Sequence, residues 1–188
     1  KIGFTKLIKK KFKTNDKSVR FHKDHENLLQ MIYQVISAYF QDDCTDELTL
    51  DPVFHAVLDK ESLASQPTLS RFFNRMDEDT LVQFDDIDKN LRDIIYSIKR
   101  PEHMLLDLDS TLFGTYGKQE GEGFNFHYQA HGYHPLLCYD GLTGDLIKAE
   151  LRDGTLYCSN GADKFMKSIF QEYLERGIKT YLRGDSGF

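Results

Sequence analysis

The chain has 188 residues, of which 40% are hydrophobic, 13% aromatic and 29% charged. This length suffices for one ordinary domain, or for a small domain with part of a larger one. With only 4 proline and 13 glycine residues, the composition excludes a disordered or collagen-like chain. No apolar stretch approaches the roughly 20 residues that a membrane-spanning helix needs, so no membrane partner is expected.

Charge is distributed unevenly along the chain. Residues 1–23 contain nine Lys or Arg residues and one acidic residue, a net charge of +8, which leaves −14 on the remainder. This pattern predicts a basic N-terminal arm that binds phosphate groups, although a solvated lysine-rich tail explains it equally well. The candidate DNA contacts in the arm are Lys9, Lys10, Lys11 and Lys13.

The cysteines indicate neither a disulfide framework nor a zinc site. Cys44, Cys138 and Cys158 are odd in number, lie far apart and form no CxxC motif. We therefore expect a reducing compartment. Because the chain starts at Lys1 and stops at Phe188 directly after a motif-like segment, we also expect a piece of a longer protein.

Residues 24–100 are predicted to be helical. Apolar residues recur at helical spacing from about 24 to 40. An Asp-Pro pair at 51–52 favours the start of a second, short helix, because proline is tolerated in a first turn. A third helix should begin at 65–68 and a fourth should extend from about 79 to 97. This region is the expected DNA-binding part of the chain.

The third predicted helix carries polar side chains suited to phosphate and base-edge contacts. With the short helix before it, it would form a pair similar to a helix-turn-helix. Its apolar residues, including Phe73, should face inward, but an ordinary surface helix would show the same pattern. The candidate DNA contacts on it are Thr68, Ser70, Arg71 and Arg75, with Asn74 on the same outward side.

From residue 103 onward the pattern changes to short apolar segments separated by turns. The order strand, strand, strand, helix, strand is that of the first half of an RNase H-like sheet. The right-handed crossover rule then puts the last strand parallel to the first and beside it. Strands are predicted at 103–110, 124–140, 145–152 and 178–183, with a loop at 114–123 and a helix at about 161–176.

The expected fold class is therefore α+β or α/β. We expect an N-terminal helical region followed by the first half (βββαβ) of an RNase H-like fold. The corresponding domains are the basic arm at 1–23, the helical DNA-binding region at 24–100, and an RNase H-like catalytic domain at 101–188 that is truncated at its C-terminus.

Two carboxylates follow two of the predicted strands. Asp109 ends the first strand and Asp185 follows the last. If these strands are parallel neighbours, both side chains lie at the carboxyl edge of the sheet, where open α/β sheets bind ligands. Two adjacent carboxylates repel each other unless a cation lies between them, and Mg²⁺ prefers such oxygen ligands. The alternative is that each aspartate merely begins a turn.

Four segments carry a resemblance to a known family. They are HMLLDLDSTLFGT at 103–115, FHYQAHGYHPLLCYDGLTGDLI at 126–147, YLRGDSGF at 181–188 and LASQPTLSRFFNRM at 63–76. Taken together and in this order, they resemble bacterial insertion-sequence transposases with a DDE catalytic domain. The resemblance covers most of the chain from about residue 28.

The resemblance implies an RNase H-like domain that cleaves and rejoins DNA at transposon ends with Mg²⁺ or Mn²⁺. The first two family aspartates fall on Asp109 and Asp185, and both would be catalytic metal ligands. The third ligand, a downstream glutamate, has no counterpart before Phe188, so we expect this piece to be inactive alone. Implied partners are double-stranded DNA, as terminal inverted repeats and target, and a second copy in a homodimer. The implied location is the bacterial cytoplasm, in association with the nucleoid.

Two other functions compete with this interpretation. Residues 107–111 also fit the DxDxT motif of haloacid dehalogenase-type phosphatases, with Asp107 as nucleophile and Asp109 as general acid/base. Against this, about 100 residues precede the motif, and 112–183 contains one convincing helix where that fold needs repeated strand–helix units. The second alternative is an inactive DNA-binding remnant of a transposase.

Two smaller features lie beyond the first strand. Lys118 and Gln119 are candidate DNA backbone contacts in a loop beside Asp109, although a plain flexible loop is equally consistent. His127, His131 and His134 alternate between strand faces, so we predict histidines with exposed polar tips and no metal site.

Overall fold

In the computed structural model, which describes residues 2–41 and 43–188, the chain divides into two compact units. One unit extends to Lys99 and the other is Arg100–Phe188. The helices are α1 Phe4–Lys11, α2 Asp24–Ile36, α3 Cys44–Leu48, α4 Pro52–Leu58, α5 Gln66–Phe73, α6 Glu78–Ile98 and α7 Ala162–Glu175. The strands are β1 His103–Ser110, β2 Phe113–Gly114, β3 Gly123–Asn125, β4 Ala130–Tyr133, β5 Leu136–Asp140, β6 Leu146–Glu150 and β7 Lys179–Gly184.

The start of the chain differs from the free basic arm that its charge predicts. Helix α1 packs into the first unit, and Ile8 and Phe12 are only 1% and 3% exposed. The ring of Phe12 contacts that of Phe72 edge-on, with 5.9 Å between the centroids. Lys11 forms an ion pair with Asp86 on α6 at 2.6 Å. The basic segment therefore contributes to the core of the first unit.

Helices α2, α4, α5 and α6 begin close to where the sequence predicts. The Asp51 carboxylate accepts a hydrogen bond from the Val53 N–H at 2.7 Å and so caps α4, which has proline in its first turn. Asp77 caps α6 in the same way through the Thr80 N–H at 3.1 Å. Helix α3 was not predicted, and Phe73, expected to face inward, is 42% exposed.

The main sheet of the second unit has the strand order β6-β5-β1-β7. Strand β1 pairs with β5 antiparallel and with β7 parallel. Helix α7 makes the crossover between β6 and β7, and its apolar side, which includes Phe165 and Ile169, is buried. The predicted βββαβ order and the RNase H-like topology of this first half are confirmed.

A second, three-stranded sheet with the order β2-β4-β3 was not predicted. The segment expected to be one long strand at 124–140 is divided into β3, a turn, β4 and β5. The buried Asn125 side chain forms the turn, because its Oδ1 accepts from the N–H groups of His127 at 3.0 Å and Tyr128 at 3.2 Å. Gln129 completes the turn with a positive φ of 53°.

Within residues 2–41 and 43–188, no helix is both long and apolar enough to span a bilayer.

Truncation of Ile8 tests whether α1 belongs to the core. We expect Ile8→Ala to lower the free energy of unfolding by about 2–4 kcal/mol, because it leaves a cavity in a packed site. The measurement is urea unfolding of the whole chain followed by circular dichroism. Lys10→Ala, on the exposed side of the same helix, should change stability by less than about 0.5 kcal/mol. Equal effects of the two substitutions would contradict the buried packing of α1.

Candidate active site

The parallel pairing of β1 with β7 brings two carboxylates to one edge of the main sheet. The register runs from His103 opposite Lys179 to Leu108 opposite Gly184. Asp109 is the next residue of β1 and Asp185 directly follows β7, so both lie at the carboxyl ends of adjacent strands. Both side chains belong to exposed residues and line one cavity of about 550 Å³.

Each of these carboxylates is oriented by a single backbone hydrogen bond. The Oδ1 of Asp109 accepts from the Ser110 N–H, and the Oδ1 of Asp185 accepts from the Gly187 N–H, both at 2.7 Å. Across the described residues, the Oδ2 atom of neither carboxylate has a hydrogen-bond partner. One oxygen of each therefore remains available as a ligand, while the other fixes the side-chain direction.

The donor set fits a hard divalent cation bound in part by solvent or substrate. Mg²⁺ binds through one or two carboxylates and completes its shell with water and phosphate oxygens. Asp109 and Asp185 supply two such ligands. In the part of the chain that the structure describes, no group of three or more His, Cys, Asp or Glu side chains is arranged to hold a metal.

Asp107 shares the cavity but is already paired. Both of its oxygens accept hydrogen bonds from Arg183, the opposite residue on β7, with the Nε contact at 2.5 Å. The Asp107 carboxylate raises the pKa of the Arg183 guanidinium above its usual value. A phosphatase of the DxDxT type would need Asp107 as a free nucleophile, so this pairing contradicts that interpretation. The antiparallel pairing of β1 with β5 also differs from the repeated strand–helix units that such a fold needs.

The loop that carries Asp185 requires a glycine at position 187. A Cβ atom built there would lie 2.9 Å from the Asp185 Oδ1 and 3.3 Å from the Cys158 Sγ. Any larger residue would therefore displace either the carboxylate or the thiol.

All three cysteines are free, in agreement with the absence of a disulfide motif. Cys138 lies buried in β5, opposite Leu108 of β1. Burial, followed by the nearby charges of Asp107 and Asp140, raises the pKa of its thiol to about 12. The thiol is therefore protonated at neutral pH and acts as a core residue.

Tyr128 is a residue of this region that the sequence analysis missed. Its hydroxyl lies 3.3 Å from the carbonyl oxygen of Ser110, immediately after Asp109. Burial, with the negative groups at Cys158, Asp109 and Asp185, raises the pKa of this hydroxyl. No spacing in the sequence links Tyr128 to either aspartate, because the turn after Asn125 brings it there.

The candidate DNA contacts of the first unit differ in how available they are. Lys9, Lys10 and Lys13 are exposed, whereas Lys11 is paired with Asp86. On α5, Ser70 and Arg71 are exposed and Thr68 is partly buried.

Arg75 is held within the first unit. Its guanidinium pairs with Asp24 at 2.9 Å and donates to the Arg71 carbonyl at 3.1 Å. Both side chains of the pair are largely buried, at 12% exposure for Arg75 and 15% for Asp24. Arg75 therefore has less freedom to contact DNA than the sequence predicts.

A cavity of about 490 Å³ lies in the first unit beside α5. Most of its lining consists of three arginine side chains and one exposed phenyl ring, and it contains a single carboxylate. Its lining residues are Asp16, Arg20, Phe21, His22, Thr68, Arg71 and Arg75.

The helix-turn-helix-like pair predicted from the sequence does not form in the expected way. Helices α4 and α5 are joined by residues 59–65, longer than the three- or four-residue turn of that motif. Helix α5 packs mainly against α2 and α3.

The loop and histidine predictions have mixed outcomes. Lys118 and Gln119 are exposed in the segment between β2 and β3. His127 is exposed, and His131 is exposed and pairs with Glu122 at 3.0 Å. The prediction of an exposed polar tip is wrong for His134. This residue is 1% exposed, and its Nδ1–H donates to the Leu156 carbonyl at 2.7 Å.

Over residues 1–188 the chain matches the family described as transposase DDE domain group 1. It belongs to that family. No curated protein matches the chain.

Solved transposases are similar at low identity. The piggyBac transposase synaptic complex with hairpin DNA has 14% identity and a TM-score of 0.40, over 96% of this chain and 46% of that one. The Mos1 transposase paired-end complex with left transposon end has 10% identity and a TM-score of 0.26, over 86% of this chain and 51% of that one. This member of the family thus spans about half the length of these two proteins.

The Asp24–Arg75 pair gives the first unit a defined pH dependence. Burial raises the pKa of Asp24, but hydrogen bonds from Thr14 and Arg75 outweigh it and hold the pKa below the usual 3.8. The stabilisation is therefore present above pH 3.8 and is lost as the pH falls through the lowered pKa. We expect Asp24→Asn to be less stable than the wild type at pH 7, with a deficit that shrinks toward pH 2.

The measurement is the urea midpoint of both proteins across this pH range. Asp85→Asn, on the exposed side of α6, is the matched control and should show little difference at any pH. A deficit for Asp24→Asn that stays constant with pH would contradict the assignment.

Proposed function

We propose that this chain supplies the first two metal-binding carboxylates of a transposase active site. The reaction would be metal-dependent cleavage and strand transfer of DNA at transposon ends. The observation that carries the proposal is the parallel register of β1 and β7, which ends with Leu108 opposite Gly184, the residues directly before Asp109 and Asp185. Membership of the transposase DDE family supports the same function.

Asp109 and Asp185 would hold Mg²⁺ or Mn²⁺ through their free oxygens. Such an ion, when bound, polarises a phosphate oxygen and lowers the pKa of an attacking water or 3′-hydroxyl. The backbone bonds to Ser110 and Gly187 keep the two carboxylates oriented before the ion arrives. Arg183 neutralises Asp107, which limits the repulsion between carboxylates in the cavity.

Metal binding provides the direct test. We expect Mn²⁺ to bind the chain in a titration followed by electron paramagnetic resonance of the free ion. Asp109→Ala and Asp185→Ala should each weaken binding by at least tenfold, since each removes one of two ligands. Glu120→Gln, an exposed carboxylate in the β2–β3 segment, should leave binding unchanged. Binding that is insensitive to both aspartate substitutions would refute the site.

We further propose that double-stranded DNA binds the first unit. Two groups of exposed cations support this: Lys9, Lys10 and Lys13 on and after α1, and Arg71 beside the arginine-lined cavity. Phosphate contacts by such side chains give affinity without sequence selectivity. Transposition at paired ends would then require two copies of the protein.

The dependence of DNA affinity on salt tests this surface. Each lysine or arginine that neutralises a phosphate contributes about 0.9 to the slope of log K against log salt. We expect Arg71→Ala, and the triple change of Lys9, Lys10 and Lys13 to Ala, to weaken duplex binding and to reduce this slope. Lys89→Ala, an exposed cation on α6, is the matched control. An unchanged slope in both variants would show that DNA binds elsewhere.

A further inference from the structure

We propose that the Tyr128 hydroxyl is a substrate-binding group that donates a hydrogen bond to a non-bridging oxygen of the DNA phosphate held beside Asp109 and Asp185. This inference rests on the function proposed above and assigns a third side chain to that site. Tyr128 lies in the turn that joins β3 and β4 of the second sheet, whereas the two aspartates lie at strand ends of the main sheet.

The turn that carries Tyr128 is firmly anchored. Asn125, which is 4% exposed, accepts two backbone N–H groups of the turn and donates through Nδ2 to the Gly154 carbonyl at 2.7 Å. The buried His134 ring meets the Tyr128 ring edge-on, with 5.7 Å between centroids. The Tyr128 backbone is therefore fixed by Asn125 and its ring packs against His134, while the hydroxyl end of the side chain stays free to adjust.

The Tyr128 hydroxyl contacts the end of β1, but this contact does not use its full hydrogen-bonding capacity. Its distance of 3.3 Å to the Ser110 carbonyl is longer than the usual O–H···O range of about 2.5–3.0 Å, so this bond is weak. Tyr128 is 39% exposed, which leaves room for a ligand to replace the weak carbonyl contact.

The chemistry of the site favours a neutral donor at this position. Ionised Asp109 and Asp185 can only accept hydrogen bonds, and a phosphodiester is itself an anion. Among the described residues that line the cavity, Arg183 is the cation, and it is engaged by Asp107. A tyrosine hydroxyl has an ordinary pKa of about 10, so Tyr128 is protonated, and able to donate, throughout the neutral range.

A small probe separates this contact from DNA binding by the first unit. The probe is thymidylyl-thymidine, which contains a single phosphodiester, titrated by NMR into the chain with saturating Mg²⁺ and without Mg²⁺. We expect Tyr128→Phe to weaken Mg²⁺-dependent binding about tenfold, the effect of losing one hydrogen bond to a charged group. Its affinity for Mn²⁺ alone should stay within twofold of the wild type. Tyr157→Phe, which removes the hydroxyl of an exposed tyrosine in the same unit, should match the wild type in both measurements.

Several outcomes would overturn the assignment. Equal dinucleotide affinity for Tyr128→Phe and wild type, or no Mg²⁺-dependent binding by the wild type, would remove the proposed contact. A parallel loss of Mn²⁺ affinity, or loss of folding, would show that the hydroxyl only ties the turn to β1. Retention of Mn²⁺ binding by Asp109→Ala would instead refute the metal site itself, which is a distinguishable result.

Discussion

Parallel pairing of β1 with β7 is the constraint on which the rest of the second unit depends. Parallel neighbours need a crossover, and α7 provides it by packing one apolar side on the sheet. Gly177 ends that helix with a φ of +63°, a conformation that favours glycine, and its N–H donates to the Leu174 carbonyl at 2.9 Å. The chain then enters β7 in the register that sets Asp185 next to Asp109. Backbone geometry thus brings two carboxylates to one edge of the sheet, which is the arrangement that the proposed metal site requires.

Most elements of the fold were predictable because their apolar residues follow the period of a helix or a strand. Helix α1 was not predicted, because the many lysines of this segment drew attention to its charge. Its apolar residues Phe4, Ile8 and Phe12 recur every four residues and pack in the core. The prediction of a single long strand at 124–140 was wrong for a local reason. One buried side chain, Asn125, accepts hydrogen bonds from the turn and diverts the backbone into a separate small sheet. Composition reports average tendencies, whereas such a side-chain contact acts at one position.

The candidate site was predictable only as far as chain order and strand direction determine it. Asp109 lies at the end of β1 and Asp185 directly after β7, so their position at one edge of the sheet needed only the crossover rule. The pairing of Asp107 with Arg183 depends on the exact cross-strand register, which apolar patterns do not specify to one residue. The approach of Tyr128 depends on a turn between two strands that were predicted as one. For α5, the Asp24 partner of Arg75 could not be foreseen, because it lies on a helix distant in the sequence.

The packing of α1 changes the thermodynamic character of its lysines. A disordered arm that binds a polyanion must lose backbone entropy, of the order of 1–2 kcal/mol for each residue that becomes ordered. Ile8 and Phe12 already hold this segment in place through the core, so Lys9, Lys10 and Lys13 stand at fixed spacings before any ligand arrives. Only side-chain motion remains to be restricted. If DNA binds here as proposed, this preorganised surface would discriminate between polyanions by the spacing of their charges, whereas a mobile arm would adapt to any of them.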